Sequence, residues 1–521
     1  MEHNPIWREG VRLAKLPRLE DSIDVDVCVV GGGITGLTAA LLAASDGRRV
    51  VLLEADGLGS GTTGATSAHV SAVPDIGYRA VLRQCGPEAG SEYVARCASA
   101  LELMDSLVRA ERISCSWDRV AAYWYSEDAH GVGRLKDEAS AADRLGQECR
   151  MVREVPLPWP TAGGLAIPRQ AIFHPLRYLQ GLARIARARG AQIFEASPVL
   201  SWDEDDRGVV VRTACAEVRA AELILATHTP LGVNLVQAEL AAVHSYILTL
   251  ALPKPLPAAL FWDTDEPYHY VRPLLDGAQP LALVGGADHK TGCETDPQSR
   301  YAALSEFARR RLPEATITGW WSAQFYEPAD GMPYIGRSPL TEHVYIATGF
   351  AGVGLVQGTM AAMDLVAQLR GEGRDTPWRP SRVTLAAAPR VISEGVAVAM
   401  HWLGDRLSAT DGTSAEALPA GQGRILRLDG QRCAGYRDDD GRLHVLSPAC
   451  THLGCLVRWN GSARTWDCPC HGSRYAPTGE VLEGPALSAL ARRESSQAEP
   501  YSGMPSATPA PDAQRLDTVK G

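Results

Sequence analysis

Two short stretches near the C-terminal end of the chain each combine cysteines with a histidine. The first reads CTHLGC and begins at Cys450, and the second reads CPCHGS and begins at Cys468. The patterns Cys-x-His and Cys-x-x-His offer two thiolates and two imidazoles. These groups form a sufficient ligand set for zinc or for an iron–sulfur cluster.

The spacing of the two stretches favours an iron–sulfur cluster over zinc. Zinc fingers prefer the spacings C-x₂₋₄-C and H-x₃₋₅-H, which these stretches do not follow. In a Rieske [2Fe–2S] centre two cysteines hold one iron and two histidines hold the other, and here each stretch supplies one of each. Cys455 and Cys470 take mirrored places beside the stretches and could form a bridge between them. A structural zinc site, or a chance grouping of these residues, is the alternative.

The motif CTHLGC…CPCHGSRY resembles the Rieske domain of the cytochrome bc type, over residues 412–490. Histidine ligation and hydrogen bonds to sulfur raise the reduction potential of such clusters. The resemblance implies three sets of site residues: the cluster ligands Cys450, His452, Cys468 and His471, a disulfide between Cys455 and Cys470, and hydroxyl donors to a bridging sulfide and a cysteine sulfur at Ser473 and Tyr475.

A glycine-rich turn near the N-terminus predicts a dinucleotide site. The stretch VVGGGITGL places Gly31, Gly33 and Gly36 in the pattern G-x-G-x-x-G, directly after an apolar strand and at the start of a helix. Glu54 ends the next predicted strand. The glycines allow a pyrophosphate to approach the helix N-terminus closely, and the carboxylate accepts hydrogen bonds from a ribose. The alternative is a turn that only packs a helix on a sheet.

Further stretches indicate which dinucleotide binds. GSGTTGATSAH follows Glu54, AELILATHTP resembles the strand that closes a flavin-binding sheet, and GMPYIGRSP precedes YIATGFAGVGLVQGTMAAM. In this order, over residues 24–370, they resemble the FAD-dependent oxidoreductases of the D-amino-acid oxidase and glycine oxidase superfamily.

This second resemblance implies an α/β fold, with an FAD-binding Rossmann-like domain and an α+β substrate domain. The substrate domain would be inserted at about residues 80–150 and 236–325. The adenine end of FAD would lie at the glycine turn, and the isoalloxazine end at the loop 349–354 and the helix after Gln357. The implied cofactor-binding residues are Gly31, Gly33, Gly36, Glu54, Thr62, Thr63, Val199, Gly349, Gly352 and Gly354.

One departure from the family pattern bears on the substrate. Amino-acid oxidases of this superfamily hold the substrate carboxylate with an arginine in the strand before a P-x-I-G turn, because a guanidinium binds it bidentately. Phe325 occupies that position here, and Arg337 follows the turn instead. A simple α-amino acid is therefore not the expected substrate. Tyr268, Tyr270 and His289 are weak candidates for the substrate pocket, no catalytic residue is assigned, and His69 is expected to line the pocket rather than to bind flavin covalently.

Composition sets the limits on the whole protein. The chain has 521 residues, which predicts two or three domains, and its 45% hydrophobic and 21% charged content is typical of a globular protein. The net charge of −10 argues against nucleic acid as a partner. No signal peptide or membrane span is apparent, so the expected location is cytoplasmic. Eight cysteines outside the cluster stretches are expected to be free thiols, mostly buried.

The expected domain organisation has five parts. Residues 88–150 are expected to be mostly helical, and the C-terminal domain is expected to be small and all-β. The parts are an N-terminal segment (1–23), the flavin module (24–372), a linker with a bridging helix (373–411), the Rieske domain (412–492) and a disordered tail (493–521).

The combination predicts an oxidoreductase with two redox cofactors, FAD and a [2Fe–2S] cluster. The flavin module would oxidise a small organic substrate, most readily an amine, and pass electrons singly to the cluster and on to an external acceptor, a protein or a quinone-like molecule. Three alternatives stay open. They are a Rieske oxygenase, which needs a mononuclear iron site; electron flow from NAD(P)H through FAD, which normally needs a second G-x-G-x-x-G unit; and a non-enzymatic redox sensor.

Overall fold

The computed structural model describes residues 4–11, 14–277, 279–294, 296–382 and 415–494. The predicted bridging helix and the predicted tail from residue 495 onward lie outside the described residues. Residues 373–382, the predicted start of the linker, pack on the N-terminal module. There Trp378 is buried and donates to Asp364, and Arg382 pairs with Asp330 at 2.7 Å.

The N-terminal module contains 17 strands and seven helices among its described residues. The strands are β1 (Ile23–Val30), β2 (Val50–Leu53), β3 (His69–Val70), β4 (Asp118–Ser126), β5 (Arg150–Val152), β6 (Gly163–Ile172), β7 (Gln192–Phe194), β8 (Ser201–Asp205), β9 (Gly208–Arg212), β10 (Glu217–Leu225), β11 (Leu240–Ala251), β12 (Ala259–Asp263), β13 (His269–Leu274), β14 (Leu281–Lys290), β15 (Thr316–Pro328), β16 (Tyr334–Arg337) and β17 (Val344–Thr348). The helices are α1 (Ile34–Ser45), α2 (Thr62–Ala65), α3 (Gly77–Ala110), α4 (Ala129–Arg144), α5 (Pro175–Ala188), α6 (Pro297–Arg311) and α7 (Gly354–Leu369).

The first sheet is the dinucleotide-binding type of layer. Its strands run in the order β16-β17-β10-β1-β2-β7, and the pairs β17–β10, β10–β1, β1–β2 and β2–β7 are parallel. β1 and β2 are almost wholly apolar, as expected for strands covered on both faces. Helices α1, α5 and α7 cover the sheet, and α1 contacts both of the others. The glycine turn lies at the carboxyl end of β1, where open α/β sheets bind ligands.

The second sheet carries the substrate side of the module. Its order is β15-β11-β14-β13-β12-β4-β6-β3, and most of its pairs are antiparallel. Together with α3, α4 and α6 it forms an α+β layer joined to the first sheet. This arrangement confirms the predicted fold class.

The expectation that residues 88–150 are mostly helical was wrong in its middle. Helix α3 ends at Ala110, and residues 118–126 form β4 before α4 begins at Ala129. β4 pairs with β6 on one side and β12 on the other, so tertiary pairing decides its conformation. The signal was the aromatic, partly alternating stretch DRVAAYWYS.

The C-terminal module is a small all-β unit of two sheets. Its strands are β18 (Gly423–Leu428), β19 (Gln431–Arg437), β20 (Leu443–Leu446), β21 (Arg458–Asn460), β22 (Thr465–Asp467), β23 (Arg474–Tyr475) and β24 (Val481–Glu483). The first three strands form one antiparallel sheet and the last four form another. Across the ranges that the structure describes, no helix combines the length and the apolar character needed to cross a membrane.

Candidate functional site

The glycine turn has the backbone geometry that its sequence predicts. Gly31 has φ +113°, a conformation that side chains with a Cβ rarely adopt. A Cβ at Gly36 would lie only 1.9 Å from the carbonyl oxygen of Gly31, so α1 can meet the turn only because residue 36 is glycine. The backbone N–H of Ile34 donates to the Thr63 hydroxyl at 3.3 Å, which ties the turn to α2.

Glu54 lies at the carboxyl end of β2 beside the turn. Its carboxylate accepts from the backbone N–H of Gly32 at 2.6 Å and of Asp56 at 3.0 Å. Burial nevertheless raises the pKa of Glu54 above its usual value. The position suits an acceptor for ribose hydroxyls.

The turn opens into a cavity of about 720 Å³ that runs between the two sheets. Eight of the ten predicted cofactor-binding residues line it: Gly31, Gly33, Glu54, Thr62, Thr63, Val199, Gly352 and Gly354. Gly36 and Gly349 do not. Gly36 packs against the turn, and Gly349, with φ +75°, lies next to Leu240 and Pro328.

The far end of the cavity is bounded by the second sheet. Tyr268 and Tyr270 both line it, and the Tyr270 hydroxyl lies 3.2 Å from Ser245 Oγ. Burial raises the pKa of both phenols, so both stay protonated at neutral pH. Phe325 also lines the cavity, whereas Arg337 is exposed and packs over Tyr345 away from it.

His289, the third pocket candidate, lies outside the cavity lining. Its Nε2 is 2.7 Å from the Tyr246 hydroxyl, and its Nδ1 is 2.8 Å from the carbonyl oxygen of Lys290. Successive side chains of a strand point to opposite faces, so the neighbour Asp288 is the residue of β14 that faces the tyrosines. Neither residue lines the cavity itself, and it is Asp288, not the predicted His289, that interacts with the lining residue Tyr268.

Sequence reasoning missed Asp75, which lines the cavity, and Asp288, which lies behind the lining residues Ser245 and Tyr268. The Asp75 carboxylate lines the cavity and accepts from the backbone N–H of Gly352 at 3.2 Å. Asp288 interacts with Ser245 and Tyr268, and its Oδ1 is buried without a hydrogen-bond partner. Burial and the neighbouring carboxylates raise the pKa of Asp75 to about 6 and that of Asp288 to about 7.

Two histidines of the cavity are neutral at physiological pH. Burial lowers the pKa of His69 to about 3, and it lowers that of His228 as well. His69 packs edge-on against Tyr270, with ring centroids 5.1 Å apart. His228 lies 3.3 Å from the Thr62 hydroxyl and packs edge-on against Tyr326, 4.7 Å between centroids.

The two cysteine–histidine stretches form adjacent loops in the C-terminal module. Cys450 and Cys468 are buried, and the interaction between the two thiols lowers the pKa of Cys450 and raises that of Cys468. The rings of His452 and His471 lie perpendicular, with centroids 4.9 Å apart. A disulfide joins Cys455 to Cys470 and ties one loop to the other.

Both predicted hydroxyl donors stand beside the Cys450 sulfur. The Tyr475 hydroxyl lies 3.1 Å from Cys450 Sγ, and it also accepts from the backbone N–H of Thr451 at 3.1 Å. Ser473 is fully buried, accepts from the backbone N–H of Ala486 at 3.1 Å and interacts with Cys450. An acceptor role toward the backbone leaves each O–H available for a sulfur.

The loop residues fit a [2Fe–2S] cluster of the Rieske type. Both ring nitrogens of His452 and Nδ1 of His471 are buried and make no well-formed hydrogen bond, a costly state for polar atoms that are not metal ligands. Burial lowers the pKa of both histidines, and a neutral imidazole is the form that binds metal. The two thiols lie next to each other and so do the two imidazoles, one of each on either loop, which suits a Rieske ligand set.

The cavity likewise fits FAD. Its volume lies in the range of cofactor sites, and one end is walled by the glycine turn and the N-terminus of α1, which suit a pyrophosphate. A ribose acceptor, Glu54, stands beside that end, and the N-terminus of α7 points at the other end.

The C-terminal module sits directly on the cavity wall. Tyr326, on β15, is buried, lines the cavity and donates from its hydroxyl to the backbone carbonyl of His471 at 3.1 Å. The side-chain amide of Gln324 donates to the carbonyl of Gly472 and to the carboxylate of Glu483, both at 3.0 Å. The segment 481–487 of the C-terminal module itself contributes lining residues to the cavity.

Comparisons with known proteins agree with both sites. Residues 26–369 match the family described as FAD dependent oxidoreductase (DAO), and residues 411–494 match the Rieske [2Fe-2S] domain. The chain is 33% identical over 495 residues to the putative Rieske 2Fe-2S iron-sulfur protein YhfW of Bacillus subtilis (strain 168), covering 93% of this chain and 96% of that protein.

Two further relatives resemble the N-terminal module. The gamma-glutamylputrescine oxidoreductase of Escherichia coli (strain K12) is 25% identical over 381 residues, covering 69% of this chain and 87% of that protein. The crystal structure of glycine oxidase from Geobacillus kaustophilus superposes with a TM-score of 0.59 and 19% identity, covering 69% of this chain and 99% of that chain. At this identity the second likeness concerns the fold alone. The chain belongs to the DAO family of FAD-dependent oxidoreductases and carries a C-terminal Rieske domain, so that its cofactors are FAD and a [2Fe–2S] cluster.

Proposed function

We propose that the protein oxidises a small organic amine in the flavin cavity and delivers the electrons, one at a time, to its own Rieske cluster. Bound FAD supplies an acceptor of two electrons that can release them singly, and the cluster takes one electron at a time. An external one-electron acceptor, a protein or a quinone-like molecule, would then collect them. The name of one relative, a gamma-glutamylputrescine oxidoreductase, supports a substrate with an amine nitrogen.

The observation that carries this proposal is the position of Tyr326. Its buried side chain lines the flavin cavity and donates a hydrogen bond to the residue that we propose as a cluster ligand, His471. His471, a proposed ligand of the cluster, is therefore one hydrogen bond away from Tyr326 in the wall of the FAD cavity. Electrons leaving the cavity would meet the histidine side of the cluster first.

Gln324, two residues before Tyr326 on β15, also joins the N-terminal module to the Rieske module. It is buried, and its side-chain amide nitrogen donates to the backbone carbonyl of Gly472 in the Rieske module. Its side-chain oxygen Oε1 accepts from the Thr291 hydroxyl at 2.9 Å. Satisfied hydrogen bonds between buried groups fix a geometry strongly, because breaking one leaves a desolvated polar atom unpaired. The two domains are therefore held in one relative position at the point of electron transfer.

The remaining site residues take roles within this proposal. Cys450, His452, Cys468 and His471 hold the cluster, and Ser473 and Tyr475 donate to its sulfurs. The glycine turn, Glu54, Thr62, Thr63 and Val199 hold the nucleotide part of FAD. The loop 349–354 holds the isoalloxazine part.

An anaerobic screen of amines and N-alkyl amino acids tests the proposed function. A substrate should bleach the flavin band near ~450 nm, and the electron paramagnetic resonance signal of the reduced cluster should then grow in the same sample. The purified protein should contain iron and acid-labile sulfide and negligible zinc. Bleached flavin beside a cluster that stays oxidised would overturn the electron path.

A pair of tyrosine variants tests the junction itself. Tyr326→Phe removes the hydroxyl that reaches His471, and we expect transfer from flavin to cluster to slow by about threefold to tenfold while substrate still bleaches the flavin, since the loss of one hydrogen bond loosens the contact by about 1 kcal/mol. Tyr334→Phe is the matched control, because this buried tyrosine donates to Glu239 away from the cluster. Equal transfer rates in the two variants would remove Tyr326 from the electron path.

A further inference from the structure

The substrate end of the flavin cavity is lined by more carboxylates than arginines. Away from the glycine turn, the cations among the described lining residues are two arginines, and one of them, Arg134, donates to the backbone carbonyl of Thr264 at 2.6 Å. The other, Arg79, is exposed beside Asp137 and Glu138. The carboxylates lining this part are Asp75, Glu138, Asp263, Asp265 and Glu266.

Other cationic groups near the cavity do not offset this charge. His69 is neutral, because burial and the nearby Arg272 lower its pKa to about 3. Arg272 is buried but directed elsewhere, since it lies over the Trp7 ring and donates to the carbonyls of Ala68 and Pro273. A bound anion would therefore meet more carboxylates than guanidinium groups in this part of the cavity.

Asp75 lines this part of the cavity and Asp288 stands behind its wall, so both add negative charge there. Asp75 stands close enough to raise the pKa of Asp288, and Glu327 on β15 is a third carboxylate, which raises the pKa of both. The buried, unpartnered Oδ1 of Asp288 lies behind the hydroxyls of Ser245 and Tyr268, which line the cavity. A buried carboxylate oxygen without a partner is unfavourable unless a ligand supplies a donor or a positive charge.

We propose that Asp75 and Asp288 select a substrate that enters as a cation, an alkyl amine without a free carboxylate, through its positive charge. This proposal rests on the proposed oxidation of an amine and names its charge class. Phe325 supports the same conclusion, because this apolar residue lines the cavity and offers a carboxylate no partner. Trp124, Trp262 and Ile247 line the same region and suit an alkyl chain.

Binding of small probes to the FAD-loaded protein tests this proposal without requiring turnover. n-Butylamine, 1,4-diaminobutane, n-butyrate and n-butanol share a four-carbon chain and differ in charge. We expect the two amines to perturb the absorbance of oxidised flavin at concentrations at least about tenfold lower than butyrate, because the cavity attracts cations. Butyrate that binds as tightly as butylamine would overturn the proposal.

Two variants assign the effect to the inner carboxylates. Asp75→Asn and Asp288→Asn should each weaken butylamine binding at least about tenfold and leave butanol binding within about twofold, because each removes one negative charge at or behind the cavity wall. Asp137→Asn is the matched control, since this aspartate pairs with Arg79 on the surface and does not line the cavity. Variants that bind butylamine like the wild type would contradict the assignment.

The outcomes separate this proposal from the proposed function. If a variant loses FAD, the comparison of butylamine with butyrate in the wild-type protein still decides the charge class. An anionic substrate that reduces flavin and cluster would sink the charge selection and leave the electron path standing. Amine binding without any reduction of the flavin would support the charge selection and contradict the proposed oxidation of an amine.

Discussion

The cluster site and the flavin cavity are built in opposite ways. All proposed cluster ligands and hydroxyl donors lie between Cys450 and Tyr475, on two loops of one small module. The cavity draws its walls from Val30 to Leu487, with contributions from both sheets and from the Rieske domain. A site made of two short loops depends on local spacing, whereas the cavity depends on strands that pair over long sequence separations.

The difference predicts separate failures for the two sites. Cys450→Ser removes a cluster ligand from a module with its own core, so we expect loss of the cluster, retained FAD, and a drop by orders of magnitude in transfer to an external one-electron acceptor. Iron content, flavin content and acceptor turnover measure this. Cys433→Ser is the control, because Cys433 is a buried thiol of the same domain away from the loops. Loss of FAD together with the cluster would mean that the two sites do not fold independently.

The reciprocal change affects the cavity alone. Gly36→Ala places a Cβ 1.9 Å from the Gly31 carbonyl oxygen, so the turn must move, and we expect FAD content to fall to about one tenth or less while the cluster stays. Gly133→Ala is the control, since a Cβ there meets nothing within 4 Å. Gly33→Val should also lower FAD content, although a Cβ at Gly33 meets only the Thr63 hydroxyl, at 3.1 Å. Full FAD in Gly36→Ala would show that the turn does not hold the pyrophosphate.

The pH dependence of amine binding sharpens the contrast inside the cavity. The pKa of Asp75 is raised to about 6 and that of Asp288 to about 7, so both carboxyls become neutral as the pH falls through these values. An alkyl amine stays protonated throughout, so its affinity should fall at least about tenfold from pH 8 to pH 5. The other groups that face Asp288 are the hydroxyls of Ser245 and Tyr268 and the carboxylate of Glu327; the phenol does not titrate in this range.

Flavin absorbance titrations with n-butylamine at a series of pH values measure this. n-Butanol serves as the neutral control and should bind equally at all of them. An affinity for n-butylamine that does not change with pH would show that Asp75 and Asp288 do not contribute to amine binding.

The smallest expected effect concerns the cluster's potential. Tyr475→Phe keeps all four ligands and removes the hydroxyl 3.1 Å from Cys450 Sγ, so the cluster should assemble and its reduction potential should fall. Tyr436→Phe is the control, because its ring packs on His444 and Trp459 away from the loops. A redox titration followed by electron paramagnetic resonance measures the potentials. Equal potentials in both variants would mean that Tyr475 does not donate to the sulfur.

The same contrast explains what the sequence could predict. Spacing alone indicated an iron–sulfur ligand set at Cys450, His452, Cys468 and His471, and the family resemblance completed the cluster site. The substrate end was harder, because the choice between Asp288 and His289 depends on which face of β14 packs behind the lining residues Ser245 and Tyr268. That face is set by pairing with β11 and β13, which no local pattern specifies.

The junction between the modules was not predicted at all. Phe325 drew attention because a family pattern expects an arginine there, while its neighbours Gln324 and Tyr326, which also line the cavity, donate hydrogen bonds to the Rieske loops. Domain docking is fixed by surfaces that meet only after each domain has folded, so a linear pattern carries little information about it.

Light-driven reduction of the flavin tests, without a substrate, whether electrons pass from the flavin to the cluster within one chain. In protein that carries both cofactors, a short light pulse in the presence of EDTA reduces the flavin, and absorbance then follows both centres. We expect the cluster to be reduced in a first-order process whose rate constant does not change over a roughly tenfold range of protein concentration. The reason is that the electron donor, FAD, and the acceptor, the cluster, lie in one chain. A cluster that stays oxidised, or a rate that rises in proportion to protein concentration, would contradict electron transfer within the chain.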